Sequence, residues 1–160
     1  MHRLARSASI LDKVLRASAA LCLLAMFALV VIQILLRYTG AGIPVFTEEV
    51  ARYAMIWSTL LASAVAIREA SHIRISLLPD FLAQSLPTAE RALRFLLDIV
   101  TLGVVAVLFW QGIEMVIFAA GQRSDGLRIS LSYPYAAVPV SFLFATFFAS
   151  DRLLRGDRIE

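Results

Sequence analysis

An all-α membrane protein is the fold class this sequence predicts: four transmembrane helices, with an interfacial amphipathic segment between the second and third. Three observations predict it. The chain of 160 residues is 60% hydrophobic and 17% charged, with a mean hydropathy of +0.80; average soluble chains run roughly 45–50% apolar and about 25% charged. Four runs carry no charge: Ala17–Leu36, Tyr53–Ile67, Ile99–Ile113 and Ile129–Ser150, together 72 residues. The fifteen basic residues fall almost wholly in the connections between those runs. A helix needs about 20 residues to cross the hydrocarbon at 1.5 Å each. The first and last runs are long enough alone, and the middle two need their flanks. The expected spans are about residues 17–36, 48–67, 91–117 and 131–151, in one membrane domain over 1–160.

The first run follows Arg3, Arg6, Lys13 and Arg16, an arrangement shared with signal peptides. Its 20 uncharged residues exceed the usual h-region of about 15, and Arg37 follows directly, so a retained first span is expected. Cys22 lies inside this run and reads as a small apolar residue. The second helix is expected to start at Thr47, a good N-cap, with Glu48 and Glu49 on the positive end of the helix dipole. From there to Ile67 is about 30 Å of helix. Between Arg68 and Arg94 the chain is too polar to cross and too apolar to float free. There Ile73, Leu77, Phe81 and Leu82 recur at helical spacing, and Pro79 and Pro87 are placed to start helices. An amphipathic piece over about 72–86, lying along the membrane interface, fits this pattern; an ordinary loop packed on the bundle fits it equally. In the last span Pro134 opens the helix and Pro139 is expected to kink it.

Alternate sides of the membrane hold eleven and four Lys or Arg residues. Basic residues favour the cytoplasm in short loops, so both termini and the long middle connection are expected inside. The basic balance, +3 with pI near 9.5, is accounted for by topology and does not call for nucleic acid.

Polar residues define the candidate sites. Arg52 lies four residues after Glu48 and three after Glu49, so either carboxylate can pair with it on the helix surface. Arg37, Glu48, Glu49 and Arg52 thus form either a charged patch for docking a partner or local ion pairs that start a helix. Asp98 and Glu114, with Gln111 near the latter, sit toward opposite ends of the third span. Sixteen residues, about 24 Å, separate the two acids, too far for a proton relay and outside the midplane where coupling sites lie. Tyr38, Tyr53, Trp57, Trp110 and Tyr133 cluster toward the expected outer half as an aromatic belt. Two stripes of small residues repeat every four positions: Ala54, Ser58, Ala62 and Ala66 in the second span, and Ala137, Ser141, Ala145 and Ala149 in the fourth. Such stripes let membrane helices approach closely. Phe142, Phe144, Phe147 and Phe148 lie elsewhere on that last helix and suit lipid or an apolar partner.

Several chemistries have no residues to run on. The first span offers only Gln33 where a four-helix proton-coupled exporter needs an acid. His2 and His72 both lie outside the spans, which removes paired haem ligation and a Ser–His hydrolase. The sequence has neither a Gly-rich phosphate loop nor Cys–His metal spacing. No enzymatic activity is expected, and the residues by themselves point to a membrane scaffold or accessory subunit.

The elements Arg37-Tyr38, Phe46-Thr47-Glu48-Glu49-Val50-Ala51-Arg52-Tyr53, Trp57, Arg68 and His72-Ile73-Arg74-Ile75 resemble the small membrane subunit (DctQ type) of tripartite ATP-independent periplasmic (TRAP) transporters. The likeness continues through Ser130-Leu131-Ser132-Tyr133-Pro134-Tyr135 and Val138-Pro139. The chain departs from the family pattern at Glu69-Ala70-Ser71, where Gly is frequent, and at Asp125, where Pro is frequent. The resemblance implies a bacterial inner-membrane heterodimer with a large multi-span permease subunit that carries the sodium and substrate sites. It implies no cofactor in this chain itself. A soluble periplasmic substrate-binding protein would deliver an organic acid to the pair, and the small subunit would extend the scaffold against which the transport domain moves. Arg37, Glu48, Glu49, Arg52, Trp57, Arg68 and His72 become candidates for structural pairing and docking.

Two other readings stand beside the transporter subunit: a self-associating four-helix transporter or channel, and a membrane assembly or regulatory protein acting through the Arg68–Arg94 segment. The expected topology is directly testable. A reporter active only outside the cytoplasm, fused after Glu160, should stay silent; high activity there would reverse the orientation.

Overall fold

Thirty-seven residues without a glycine or proline, His2–Tyr38, form the first helix, α1. At 1.5 Å per residue it is about 55 Å long, well beyond the roughly 30 Å hydrocarbon core, and its apolar portion Ser9–Tyr38 suffices to span. It ends where Gly40 adopts a left-handed φ of 71°, the conformation that closes helices at little cost only in glycine. The computed structural model describes residues 2–40, 44–69 and 87–155. The expected interfacial segment over 72–86, and His72 with it, lies outside the described residues.

The second helix, α2, covers Val45–Glu69 and thus begins two residues before Thr47. The expectation that Thr47 caps it is corrected. Its hydroxyl donates to the Pro44 carbonyl at 2.7 Å, and its amide donates to the same oxygen at 3.1 Å. Pro44 supplies the first carbonyl of the turn, so Thr47 sits inside the first turn, buried, and its oxygen is not used as an acceptor for a free amide. Pro87 opens the third helix, α3, Pro87–Ala119, a position where its missing N–H is no loss. The last span is in two pieces, α4 over Ser132–Tyr135 and α5 over Ala137–Arg155. Pro139 has no amide to give the Tyr135 carbonyl, so the helical ladder is interrupted at Ala136; Ala136 and Val140 carry it on either side through bonds to Ser132 and Ala136. The proline thus costs the ladder one bond, while Ala136 itself keeps helical dihedrals of φ −59° and ψ −21°.

Among the described residues, four segments are long and apolar enough to cross a membrane: Ser9–Tyr38, Phe46–Arg68, Phe95–Ala119 and Ser132–Asp151. No strand occurs among the described residues, only an isolated antiparallel bridge between Arg123 and Ser130. α1 packs along α2, α2 on α5, and α5 on α3. The pairings fix directions. Ser58 on α2 donates to the Ala19 carbonyl on α1 at 3.0 Å, and Arg68 meets Asp12, so α1 and α2 are antiparallel. Gly112 approaches Val138 and Pro139, while Val105 shares a cluster with Ala145, so α3 and α5 are antiparallel too. The start of α1 and the end of α5 lie at one end of the bundle, joined through Arg68, which contacts both Asp12 and Phe148.

Two buried clusters hold these helices. Leu15, Ala19, Leu61, Val65 and Phe148 join α1, α2 and α5; Ala64, Val105, Ala145 and Ala149 join α2, α3 and α5. α2 and α5 are central, and the outer helices α1 and α3 turn most of their Leu, Ile, Val and Phe side chains outward. In water such faces would be prohibitive; in lipid they are solvated.

Gly112 marks the tightest approach. A Cβ added there would stand 2.9 Å from Val138 Cγ1 and 3.0 Å from both the ring and the nitrogen of Pro139. The proline ring and backbone cannot give way. Overpacking typically costs 1–3 kcal/mol, against about 1 kcal/mol that Ala gains over Gly in a helix. Gly112→Ala is expected to lower stability by about 1 kcal/mol net. Gly103→Ala, with open space around its site, is expected to be neutral or stabilising. Thermal unfolding of both variants in detergent checks the pair.

Candidate functional site

Charged side chains gather at the two ends of the bundle. At the end where α2 begins, Arg52 donates to Glu48 at 3.1 Å, both being exposed. Such an i, i+4 pair is worth a few tenths of a kcal/mol and, among the described residues, joins no second helix. Arg37 is exposed in the last turn of α1.

Glu49 behaves differently from its neighbour. One carboxylate oxygen accepts the Tyr53 hydroxyl at 2.6 Å, and the other accepts the Leu127 amide at 2.8 Å. The first bond stays on α2; the second reaches 78 residues along the chain to the connection between α3 and α4. That connection folds back on itself. Ser124 N–H donates to Ile129, Leu131 N–H to Gln122, and the Arg123 guanidinium to the Arg128 carbonyl. Arg128 takes a φ of 53°, a conformation uncommon outside glycine. Ser130 and Ser132 hydroxyls tie the returning chain to the carbonyls of Ala120 and Val116. Glu49 therefore staples this loop to the mouth of α2.

At the opposite end Asp12 accepts from Arg16 at 3.0 and 3.2 Å and pairs with Arg68 at 3.0 Å. The Arg68 guanidinium lies 5.5 Å over the Phe148 ring, a cation–π distance. One carboxylate, only 13% exposed, thus joins α1 to α2, and its arginine partner reaches α5. Trp57 is half-buried against the cluster of Leu15, Leu61 and Phe148.

The small-residue stripes separate. Ala137, Ser141, Ala145 and Ala149 are all buried, none more than 5% exposed. On α2 Ser58 is buried against Ala19 and Ala54 is half-buried, but Ala62 and Ala66 are exposed. The ridge of α2 that meets its neighbours runs instead through Ala51, Ser58, Leu61, Ala64 and Val65. A spacing of four drifts around a helix of 3.6 residues per turn, and the stripe leaves the contact after Ser58. On α3 Glu114 accepts from the Trp110 indole at 3.0 Å. Among the described residues, no three His, Cys, Asp or Glu side chains converge as a metal-holding group.

Asp12, the Tyr53 hydroxyl and Gly112 were not among the candidate residues of the sequence. Asp12 and Arg16 stand four apart, a spacing that signals a pair; that Arg68 completes the triad depends on the antiparallel register of α1 and α2.

Four apolar spans with bundled ends and outward-facing apolar helices define a multi-pass membrane protein. Residues 26–158 match the family model described as "Tripartite ATP-independent periplasmic transporters, DctQ component", and the chain belongs to that family. It is 32% identical over 129 residues to the isethionate TRAP transporter permease protein DctMQ of Oleidesulfovibrio alaskensis, a match over 75% of this chain and 20% of that protein. It is 31% identical over 96 residues to a putative TRAP transporter small permease protein of Haemophilus influenzae, over 59% of this chain and 57% of that one. The matches span a fifth and rather more than half of the respective relatives' lengths.

Replacing Glu49 by Ala is expected to abolish hydrogen-exchange protection of the Leu127 amide while sparing Leu131, whose bond lies within the loop. Glu48→Ala is expected to change neither. Exchange measured in detergent by mass spectrometry or NMR reads all three, and a protected Leu127 amide in the Glu49 variant would mean that the loop stands without the carboxylate.

Proposed function

We propose that the chain is the small scaffold subunit of a sodium-coupled TRAP transporter for organic acid uptake in the bacterial inner membrane. It packs against a large permease subunit that carries the sodium and substrate sites, and it helps dock a periplasmic substrate-binding protein. Both termini face the cytoplasm, and the 72–86 segment lies along the cytoplasmic interface. The observation that supports this most is the separation of charge from the spans. No Asp, Glu, Lys or Arg lies between Arg16 and Arg37, Arg52 and Arg68, Asp98 and Glu114, or Arg128 and Asp151. A chain that moved ions alone would need polar groups at midplane depth. The outward apolar faces of α1 and α3 offer ample surface to a helical partner. Isethionate, named for one relative, is a small organic acid and agrees with the substrate class.

In this reading Glu49 serves docking indirectly, by holding the Gly121–Leu131 loop in one shape on the periplasmic side, while Glu48, Arg52 and Arg37 remain exposed for contact. Co-expression with a large TRAP permease subunit from the same genome is expected to yield a complex stable in mild detergent, and liposomes containing this chain alone are expected to show no substrate flux. A monodisperse chain that ignores the permease, or flux without it, would overturn the assignment. Glu48→Lys is expected to leave the complex intact and to slow uptake when the binding protein is limiting; unchanged uptake would confine Glu48 to local pairing.

A further inference from the structure

We propose that the groove between α1 and α2 seats an acyl chain of an anionic phospholipid, with its phosphate against Arg16 and Lys13. This goes beyond the subunit reading and does not depend on it. The groove, about 380 Å³, is lined by Arg16, Ala19, Ala62, Val65 and Ala66. Its walls are methyl and isopropyl groups, and its rim carries one guanidinium. Ala62 and Ala66 are the part of the α2 stripe that its neighbours leave uncovered, so two side chains too short to fill the space create a recess along the helix pair.

Charge decides between occupants. At this end of the bundle the described side chains of α1 and α2 contribute Lys13, Arg16 and Arg68 against Asp12. Asp12 pairs with two of these arginines, yet the balance stays positive. The Arg16 side chain is 45% exposed despite its bond to Asp12, and Lys13 is exposed as well. Three residues apart, the two cations are neighbours on the helix surface, at the depth where a span leaves the hydrocarbon. A protein helix laid into the groove would carry the guanidinium into an apolar contact, at high cost unless that helix brought its own charge. A phospholipid matches both parts of the site. Its tail lies on the alanines, and its phosphate accepts charge-assisted hydrogen bonds from Arg16 and Lys13. Basic recesses between membrane helices are the usual seats of anionic headgroups.

The test is native mass spectrometry of the full chain in detergent, titrated with phosphatidylglycerol or phosphatidylethanolamine of identical acyl chains. Each basic residue near the headgroup is worth about fivefold in affinity, so wild type is expected to retain phosphatidylglycerol several-fold better. Lys13→Gln and Arg16→Gln should each bring the two lipids closer to parity. Lys13 is exposed and shows no hydrogen bond or ion pair among the described residues, so its variant reads the charge even if loss of Arg16 loosens the Asp12 triad. The double variant Ala62→Leu, Ala66→Leu fills the recess and should weaken retention of both lipids. Equal retention of the two lipids by wild type, or a preference that survives both Gln variants, would sink the proposal. So would a leucine double variant that keeps its lipid but loses the large permease, because the groove would then belong to a protein helix.

Discussion

Close approach between helices at small side chains is what the rest of this bundle depends on. In lipid, two apolar helices gain nothing by leaving solvent, because the acyl chains are as apolar as leucine. Cohesion must come from dispersion across short distances and from a few hydrogen bonds. α5 meets this demand with Ala137, Ser141, Ala145 and Ala149 all buried, and α3 answers with Gly112, placed where a single methyl would strike Pro139. Between α1 and α2 the same part is played by Ala19 and Ser58, close enough for the serine hydroxyl to donate to a main-chain carbonyl. Large side chains are sorted outward as a result, which is why α1 and α3 present so much leucine, isoleucine and phenylalanine to their surroundings.

Polar contacts finish what packing starts, and they do so at the ends. Asp12 draws arginines from two helices onto one carboxylate, and the second arginine lies over a phenylalanine of a third helix. Glu49 does the corresponding work at the other end, reaching from α2 to the amide of Leu127. Each carboxylate thus closes one end of the bundle. Between them the four runs 17–36, 53–67, 99–113 and 129–150 carry no Asp, Glu, Lys or Arg.

Much of the fold was legible in the sequence, for reasons of length and period. Apolar runs of 15 to 22 residues have only one way to satisfy their backbone in lipid, so four helices followed directly, and Pro87 marked the start of α3 as its chemistry requires. The start of α2 was misplaced because Thr47 has a side chain suited to capping, and only the geometry showed its hydroxyl turned toward Pro44. The lost ladder bond near Ala136 was half legible: Pro139 announced a disruption, but its place about one turn upstream follows from which carbonyl loses its donor.

The sites divide along the same line. Glu48 and Arg52 pair as their spacing of four foretells, because both ends of that contact lie within one turn of the same helix. The stripe of α5 and the stripe of α2 look alike in sequence, yet one is buried throughout and the other leaves the contact after Ser58. By itself the sequence determined the number of spans, where charge could not go, and which side chains were small enough for close approach, since these follow from length, hydropathy and volume. Only the tertiary structure decided which small residues meet a neighbour, that Glu49 holds a distant loop while Glu48 does not, and that Asp12 completes a triad with Arg68. Those outcomes depend on the rotation and register of one helix against another, set by all the packed side chains together and written in no single stretch of chain.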